Sequence, residues 1–321
     1  MGHNVGMTDM TYRHLGNSGL TVSAVGIGCN NFGLRIDEDA TRLVVDAAID
    51  AGITLFDTSD SYGDSELFLG RALGTRRADV VLATKFGSDL RGANGPDWNA
   101  RGSRRYIRRA VERSLTRLNT DWIDLYQIHM PDPTTPIEET LGALSDLVHE
   151  GLVRYIGCSN FAAWQVADAD WISQTNGFER FISAQNHYSF VERGVEAELV
   201  PACERFGVGL LPYFPLASGL LTGKYRRGDA PPEGGRIAAW GMTALLSDAN
   251  FDIVERLEAF AAERSITLLD VAMGGLAAQP TVASVIAGAT SVAQVEANAA
   301  AGVWTPTAED RVALRGLLAP V

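Results

Sequence analysis

Short apolar runs alternate along this chain with segments whose apolar residues recur every three or four positions. The runs "VSAVGIG" (22–28), "ITLFDTS" (53–59), "DVVLATKFG" (79–87) and "WIDLYQIH" (122–129) each read as a strand. So do "VRYIGCSN" (153–160), "FISAQNHYSF" (181–190), "GVGLLPYFPL" (207–216) and "TVASVIAGA" (281–289). The intervening periodicity predicts helices over 37–52, 65–73, 103–118, 137–150, 162–173, 195–205 and 292–301. Ser103 is placed to cap the third of these, and Gly52 and Gly151 stop the first and fourth. The stretch 251–264 predicts an additional helix ahead of one at 267–278.

Eight strands, each followed by a helix, exclude an all-α or all-β fold. Several strands are apolar without alternation, as a parallel sheet buried on both faces requires. The even beat and the total length favour a closed (β/α)8 TIM barrel over an open doubly wound sheet. We read the chain as a single domain spanning 1–321, with 1–10 expected to be flexible. "TYRHLGNSGLTVS" predicts an N-terminal β-hairpin, turning at 16–19, that plugs the bottom of the barrel. Two long Gly-rich loops follow the third and seventh strands, "GSDLRGANGPDWNARG" and "KYRRGDAPPEGGRIAAWGMTALLS". Both follow strand ends, so both are expected on the functional face.

Composition narrows the class. The 321 residues are 46% hydrophobic and carry a net charge of −12. An acidic surface argues against nucleic-acid and anionic-membrane partners, but not against a local positive pocket for a small anion. The N-terminal residues lack a secretory pattern, and no run of about 18 apolar residues occurs. Cys29, Cys158 and Cys203 are scattered and odd in number, which fits a reduced, cytoplasmic protein. No Cys or His pair has metal-ligand spacing, so no metal site is expected. The oligomeric state stays open, a homo-oligomer included.

Polar groups fall where the apolar strands stop. Asp57 ends the second strand, Lys85 the third and His129 the fourth, and Tyr62 follows Asp57 by one turn. Each alone is an ordinary capping or surface residue. In a barrel, however, these ends share one mouth, and four coincidences there are less economical than one site. A free phenol has a pKa near ~10, and a neighbouring ammonium favours its phenolate. Asp57 can hold Lys85 charged, and a neutral His129 can donate to a substrate carbonyl. The set suits protonation of a carbonyl oxygen as negative charge develops there. A nucleophile with its base and a carboxylate pair at motif spacing are both missing, so acyl transfer and glycoside hydrolysis are disfavoured. No G-x-G-x-x-G follows a strand, so any hydride donor has to lie across the barrel mouth.

These residues resemble the aldo-keto reductase family, in particular its bacterial reductases and potassium-channel β subunits. The likeness rests on "FDTSDSYGDSE", "ATKFG", "DLYQIHMPD", "GLVRYIGCSNF", "AQNHYSF" and "PLASGLLTGKY", in family order over nearly the whole chain. It implies a catalytic tetrad of Asp57, Tyr62, Lys85 and His129, with Tyr62 as general acid. It implies that Ser159, Asn160 and Gln185 hold a nicotinamide carboxamide and that Tyr213 stacks on the ring. Cys29, Asn30 and Asp57 would meet cofactor near the first two strand ends. Phe214, Leu216, Ser218, Gly219, Leu221 and Lys224 would grip the pyrophosphate, and Ile286, Gly288, Thr290, Gln294 and Asn298 the adenosine side. Substrate walls would come from Asn31, Phe32, Tyr62, Trp98, His129 and the seventh-strand loop.

Two positions depart from the pattern. Phe214 stands where relatives commonly have Ser, removing one pyrophosphate hydrogen bond. Thr290 stands where many have Arg or Lys for the 2′-phosphate of NADP. NADPH is the expected cofactor, with NADH preference left open by Thr290. Arg236 supplies the missing charge if its loop folds over the cofactor. The implied activity is reduction of a small or medium aldehyde or ketone to an alcohol, or the reverse. The alternative is a cofactor-binding regulatory protein with little turnover. A barrel isomerase or hydrolase would need a phosphate or metal site that the chain does not offer.

Overall fold

The computed structural model describes residues 10–232 and 234–317. The segment expected to be flexible lies outside these apart from Met10, which is buried. Eight parallel strands close a barrel: β3 (Val25–Gly28), β4 (Leu55–Asp57), β5 (Val81–Phe86), β6 (Ile123–Ile128), β7 (Val153–Ser159), β8 (Phe181–His187), β9 (Gly209–Tyr213) and β10 (Val285–Gly288). Each pairs with its successor, and β10 closes on β3 with Val285 opposite Val25 and Gly288 opposite Gly28. The ladder sets Asp57 beside Gly28 and Lys85 beside Gln127, so the polar ends of neighbouring strands arrive at one level.

The hairpin consists of β1 (Tyr12–His14) and β2 (Thr21–Ser23), paired antiparallel. Its Leu15 and Val22, both fully buried, pack with Leu55, Ala83, Leu125, Leu211 and Ala283 inside the barrel. The bottom is therefore sealed by apolar contact and the opposite end stays open. The predicted strand over 22–28 is two strands, because the chain turns at Ala24. There the Ser23 hydroxyl donates to the Val25 carbonyl and the Ala24 amide reaches back to Thr11.

Helices α1 (Glu38–Asp50), α2 (Ser65–Leu73), α3 (Arg104–Leu118), α4 (Ile137–His149), α5 (Ala163–Asn176) and α6 (Leu199–Phe206) follow successive strands. Asp37 and Ser103 cap α1 and α3 with side-chain oxygens. The predicted helix over 195–205 is broken: a single 3-10 turn, Gly194–Glu196, precedes α6. The loop after β9 carries α7 (Arg236–Ala239) and leads to α8 (Asp248–Glu263), capped by Ser247. The helix expected over 267–278 starts as α9 (Leu268–Asp270) and widens into a π-helical turn, Val271–Gly275. Gly274 lets that turn approach the Trp304 carbonyl, where a side chain would collide, and Gly275 packs close against the Phe190 ring. Then come α10 (Val292–Val303) and α11 (Ala308–Leu317). The sequence pattern did not announce α11, whose single buried residue, Leu314, packs among the apolar side chains of α8 and the β9 loop.

Candidate active site

The open end of the barrel gathers the four predicted residues. Lys85, fully buried on β5, places Nζ 2.6 Å from Asp57 Oδ2 and donates to the Thr58 carbonyl at 2.9 Å. Asp57 Oδ1 accepts from Gln185 Nε2 at 2.9 Å and Gln127 Nε2 at 3.3 Å. The buried carboxylate is thereby saturated with donors, which burial of a charge demands. The Lys85 ammonium lies 5.2 Å from the centroid of the Tyr62 ring, and that ring meets His129 edge to face at 5.7 Å.

Electrostatics assign protonation states. Burial works to lower the Lys85 pKa, but Asp57 and Tyr62 outweigh it and hold the ammonium above its ordinary value. Burial raises the Tyr62 pKa, and Lys85 only partly offsets this. Loss of water thus outweighs the Lys85 effect expected from the sequence, and the phenol keeps its proton at neutral pH. Burial and the neighbouring Lys85 charge push His129 down to about 3, so its imidazole is neutral. His129 Nδ1 lies 2.9 Å from Ser88 Oγ and 3.1 Å from Ser59 Oγ. Neither serine was singled out from sequence, and nor was Gln127; their roles exist only once β4, β5 and β6 are side by side.

Asp57, Tyr62 and His129 line a cavity of about 640 Å³ that runs outward across the mouth. Ser159, Asn160 and Gln185 form one wall. Ser159 Oγ donates to the Gln185 carbonyl, and Asn160, at φ +60°, donates to the His129 carbonyl. The Tyr213 hydroxyl donates to Asn160 Oδ1 at 2.8 Å, and its ring lies parallel to His187 at 5.4 Å. The wall continues through Phe214, Leu216, Ser218, Gly219 and Lys224. Phe214, Ala217, Ser218 and Gly219 all have positive φ, and the Ala217 and Gly219 amides donate to the Phe214 and Leu216 carbonyls, so a tight local turn shapes this part of the wall. At φ +99°, Gly219 also brings the backbone against Lys224. The far end is formed by Ile286 and Gly288 of β10, Thr290 of the following loop and Gln294 and Asn298 of α10, with Asn30 and Asn31 beside Gly288. Thr290 does not project freely, since its amide and hydroxyl both donate to Gln294 Oε1.

Four expectations differ from the geometry. Cys29 and Leu221 are fully buried behind the cavity wall, and Phe32 is fully buried in the core. The Phe32 backbone bridges to Ile36, so the first loop turns this ring inward rather than toward the mouth. Trp98 is 69% exposed and outside the cavity; at φ +49° it pairs instead with Arg105, whose guanidinium lies 4.6 Å from the ring. Conversely, Arg35 was not anticipated. Arg35 Nη2 donates to the Gly234 carbonyl at 3.1 Å, and Arg236 Nη2 to Asn31 Oδ1 at 2.6 Å. Arg236 also lies against the Trp240 and Phe214 rings. The β9 loop is thus fastened across the cavity to the β3 loop. Arg35, Lys224 and Arg236 have no carboxylate partner among the described residues. Burial first, then the neighbouring cations, lowers the pKa of both Lys224 and Arg236, the latter to about 10.

A closed barrel of this topology hosts many classes of chemistry, and here its mouth presents a phenol, an ammonium, a carboxylate and an imidazole together. Comparison with known proteins narrows the class. Residues 24–317 match the model of the aldo/keto reductase family. A probable voltage-gated potassium channel subunit beta of Oryza sativa subsp. japonica is 35% identical over 94% of this chain and 95% of its own. The uncharacterized oxidoreductase YrpG of Bacillus subtilis (strain 168) is 36% identical over 89% of both chains. The versiconal hemiacetal acetate reductase of Aspergillus parasiticus is 35% identical over 85% of this chain and 87% of its own. The chain belongs to the aldo/keto reductase family, whose members generally use NAD(P)H and act on small carbonyl compounds. Among the described residues no helix is long and apolar enough to cross a membrane.

Proposed function

We propose that this protein is an NADPH-dependent carbonyl reductase in which Tyr62 is the general acid. The observation that carries the reading is the packing of a protonated phenol against the Lys85–Asp57 pair and a neutral imidazole on the cavity wall. When bound, the reduced nicotinamide supplies a hydride to the carbonyl carbon. Tyr62 donates its proton to the carbonyl oxygen as that oxygen gains charge. Lys85 favours the phenolate that results, and Asp57 keeps Lys85 placed and charged. His129 Nε2, which has no partner among the described residues, is the second donor available to the substrate oxygen.

The residues present fit the cofactor. Gln185 uses Nε2 on Asp57, leaving Oε1 to accept from a carboxamide. The face of Tyr213 away from His187 is suited to the nicotinamide ring. Three cations without carboxylate partners in a chain of net charge −12 favour a polyanion. They also compensate for Thr290, which supports NADPH over NADH. The three free cysteines are all buried, in keeping with the cytoplasm. The decisive test is single-turnover oxidation of bound NADPH by 4-nitrobenzaldehyde. Tyr62→Phe should slow it by about 10²–10⁴-fold while NADPH fluorescence titration stays close to wild type. Equal rates in the two proteins would remove Tyr62 from the chemistry. The potassium-channel names of the plant relatives favour a second reading, a cofactor-bound regulatory protein, which absent turnover with intact NADPH binding would support.

A further inference from the structure

Behind the Tyr62 turn lies a polar cluster that the proposed chemistry does not use. Asp60 is 8% exposed and forms no ion pair among the described residues, Arg117 acting on it only at a distance. Asn94 Nδ2 donates to its Oδ2 at 3.1 Å from the loop after β5. Glu66 on α2 faces it as a like charge, but Glu66 is itself occupied by Arg117 of α3 and Thr84 of β5. Asn94 Nδ2 also reaches the Tyr106 hydroxyl of α3, and the Tyr126 hydroxyl of β6 and Asn94 Oδ1 have no partner among the described residues. Burial, then Glu66, raises the Asp60 carboxyl to about 7, against weaker opposition from Arg117, Asn94 and Ser59. Among these groups, one connects to the active site. Ser59 Oγ lies 3.4 Å from Asp60 Oδ1 and 3.1 Å from His129 Nδ1.

Ser59 has one hydroxyl proton and three acceptors for it: Asp60, Ser61 Oγ at 2.9 Å, and His129 Nδ1. A carboxylate is the strongest of the three. Ionised Asp60 therefore draws the proton to itself, and the Ser59 oxygen is left to accept from an Nδ1–H. Neutral Asp60 exerts no such pull, Ser59 can donate to Nδ1, and the imidazole proton moves to Nε2. Only that second tautomer donates to a substrate oxygen. Ser88 also contacts Nδ1 and can donate to it whatever the state of Asp60, so it buffers the effect.

We propose that Asp60 is a positioning residue that, through the Ser59 hydroxyl, sets which ring nitrogen of His129 carries the proton. Its consequence for rate rests on the carbonyl-reduction reading; the tautomer itself does not. The test is ¹⁵N NMR of histidine-labelled full-length protein, with the His129 signal assigned by its loss in His129→Asn. In Ser88→Ala, raising the pH through about 7 should shift His129 from the Nε2–H to the Nδ1–H pattern. In Ser88→Ala/Asp60→Asn it should keep one pattern from pH 5.5 to 9. Ser88→Ala/Ser59→Ala, which leaves the Asp60 cluster intact, should also lose the pH response and guards against misfolding of the Asp60 variant. The reductive kcat of Ser88→Ala should fall about fivefold across the same interval, roughly the worth of one hydrogen bond, with little change in KM. A His129 tautomer that ignores pH in Ser88→Ala, or that responds equally after Asp60→Asn or Ser59→Ala, overturns the proposal. A tautomer switch without any reductase activity would uphold it and overturn the function instead.

Discussion

Lys85 is the residue on which the site is built. It is fully buried, and its charge is balanced by one carboxylate that two glutamine amides hold from the other side. Lys85→Met should therefore act twice. It removes the charge beside Tyr62, lowering reductive kcat by at least about 10²-fold. It also strands Asp57, lowering stability in urea unfolding by about 3–5 kcal/mol. Asp57→Asn in the same chain should return much of the stability and none of the activity, because a buried uncompensated charge, not a lost contact, is the cost. Additive losses in the double variant would show that the pair is not coupled. The cluster of Asp57, Lys85, His129 and Tyr62 was legible in the sequence because the first three end apolar strand patterns and Tyr62 follows on the next turn. Gln127 was not, since a polar residue inside β6 has no visible purpose until closure brings Asp57 to it. Phe32 and Trp98 misled for a related reason: an aromatic after a strand end reads as pocket wall, while one bridge or one positive φ decides where it goes.

At the scale of elements, caps and apolar runs located most helices and all eight barrel strands, because Asp37, Ser103 and the continuous strand cores act locally. The breaks were not local. Ala24 divides a strand because β1 needs a partner, and the π-helical turn at Val271–Gly275 answers to packing against Trp304. The β9 loop belongs with these. Its glycines and prolines mark it as loop, but its closure depends on Arg236 reaching Asn31 and on Arg35 reaching Gly234. Arg236→Ala removes both a fastening and one of three cations. It should weaken NADPH by about tenfold or more and NADH less, since a charge-assisted phosphate contact is worth about 1.5–3 kcal/mol. Parallel fluorescence titrations with the two nucleotides measure this. Equal losses would assign Arg236 to the closed loop alone, and unchanged affinity would remove it from the cofactor site.

Over the whole molecule, buried Asp60 and half-buried His129 oppose each other in the response to acid. His129 stays neutral in the folded protein down to about 3, whereas in the unfolded chain it takes up a proton near 6.5. It therefore stabilises the fold at higher pH, and that stability is lost as pH falls below 6.5. Asp60 has the opposite sign. It keeps its proton to about 7 when folded and releases it near 3.8 when unfolded. Between those values the unfolded chain binds fewer protons, so stability falls as pH rises. From 3.8 to 6.5 the two slopes cancel, and wild type should show a nearly flat contribution from this pair. Asp60→Asn removes one side of the balance. Relative to wild type it should gain stability steadily from pH 4 to 7 and then level off, by a total on the order of 4 kcal/mol superimposed on a constant offset from altered packing. Urea unfolding across that range measures the difference. Parallel curves for the two proteins would mean that Asp60 is already ionised in the folded state, and the acidic carboxyl beneath the Tyr62 turn would be paired in a way its surroundings do not provide.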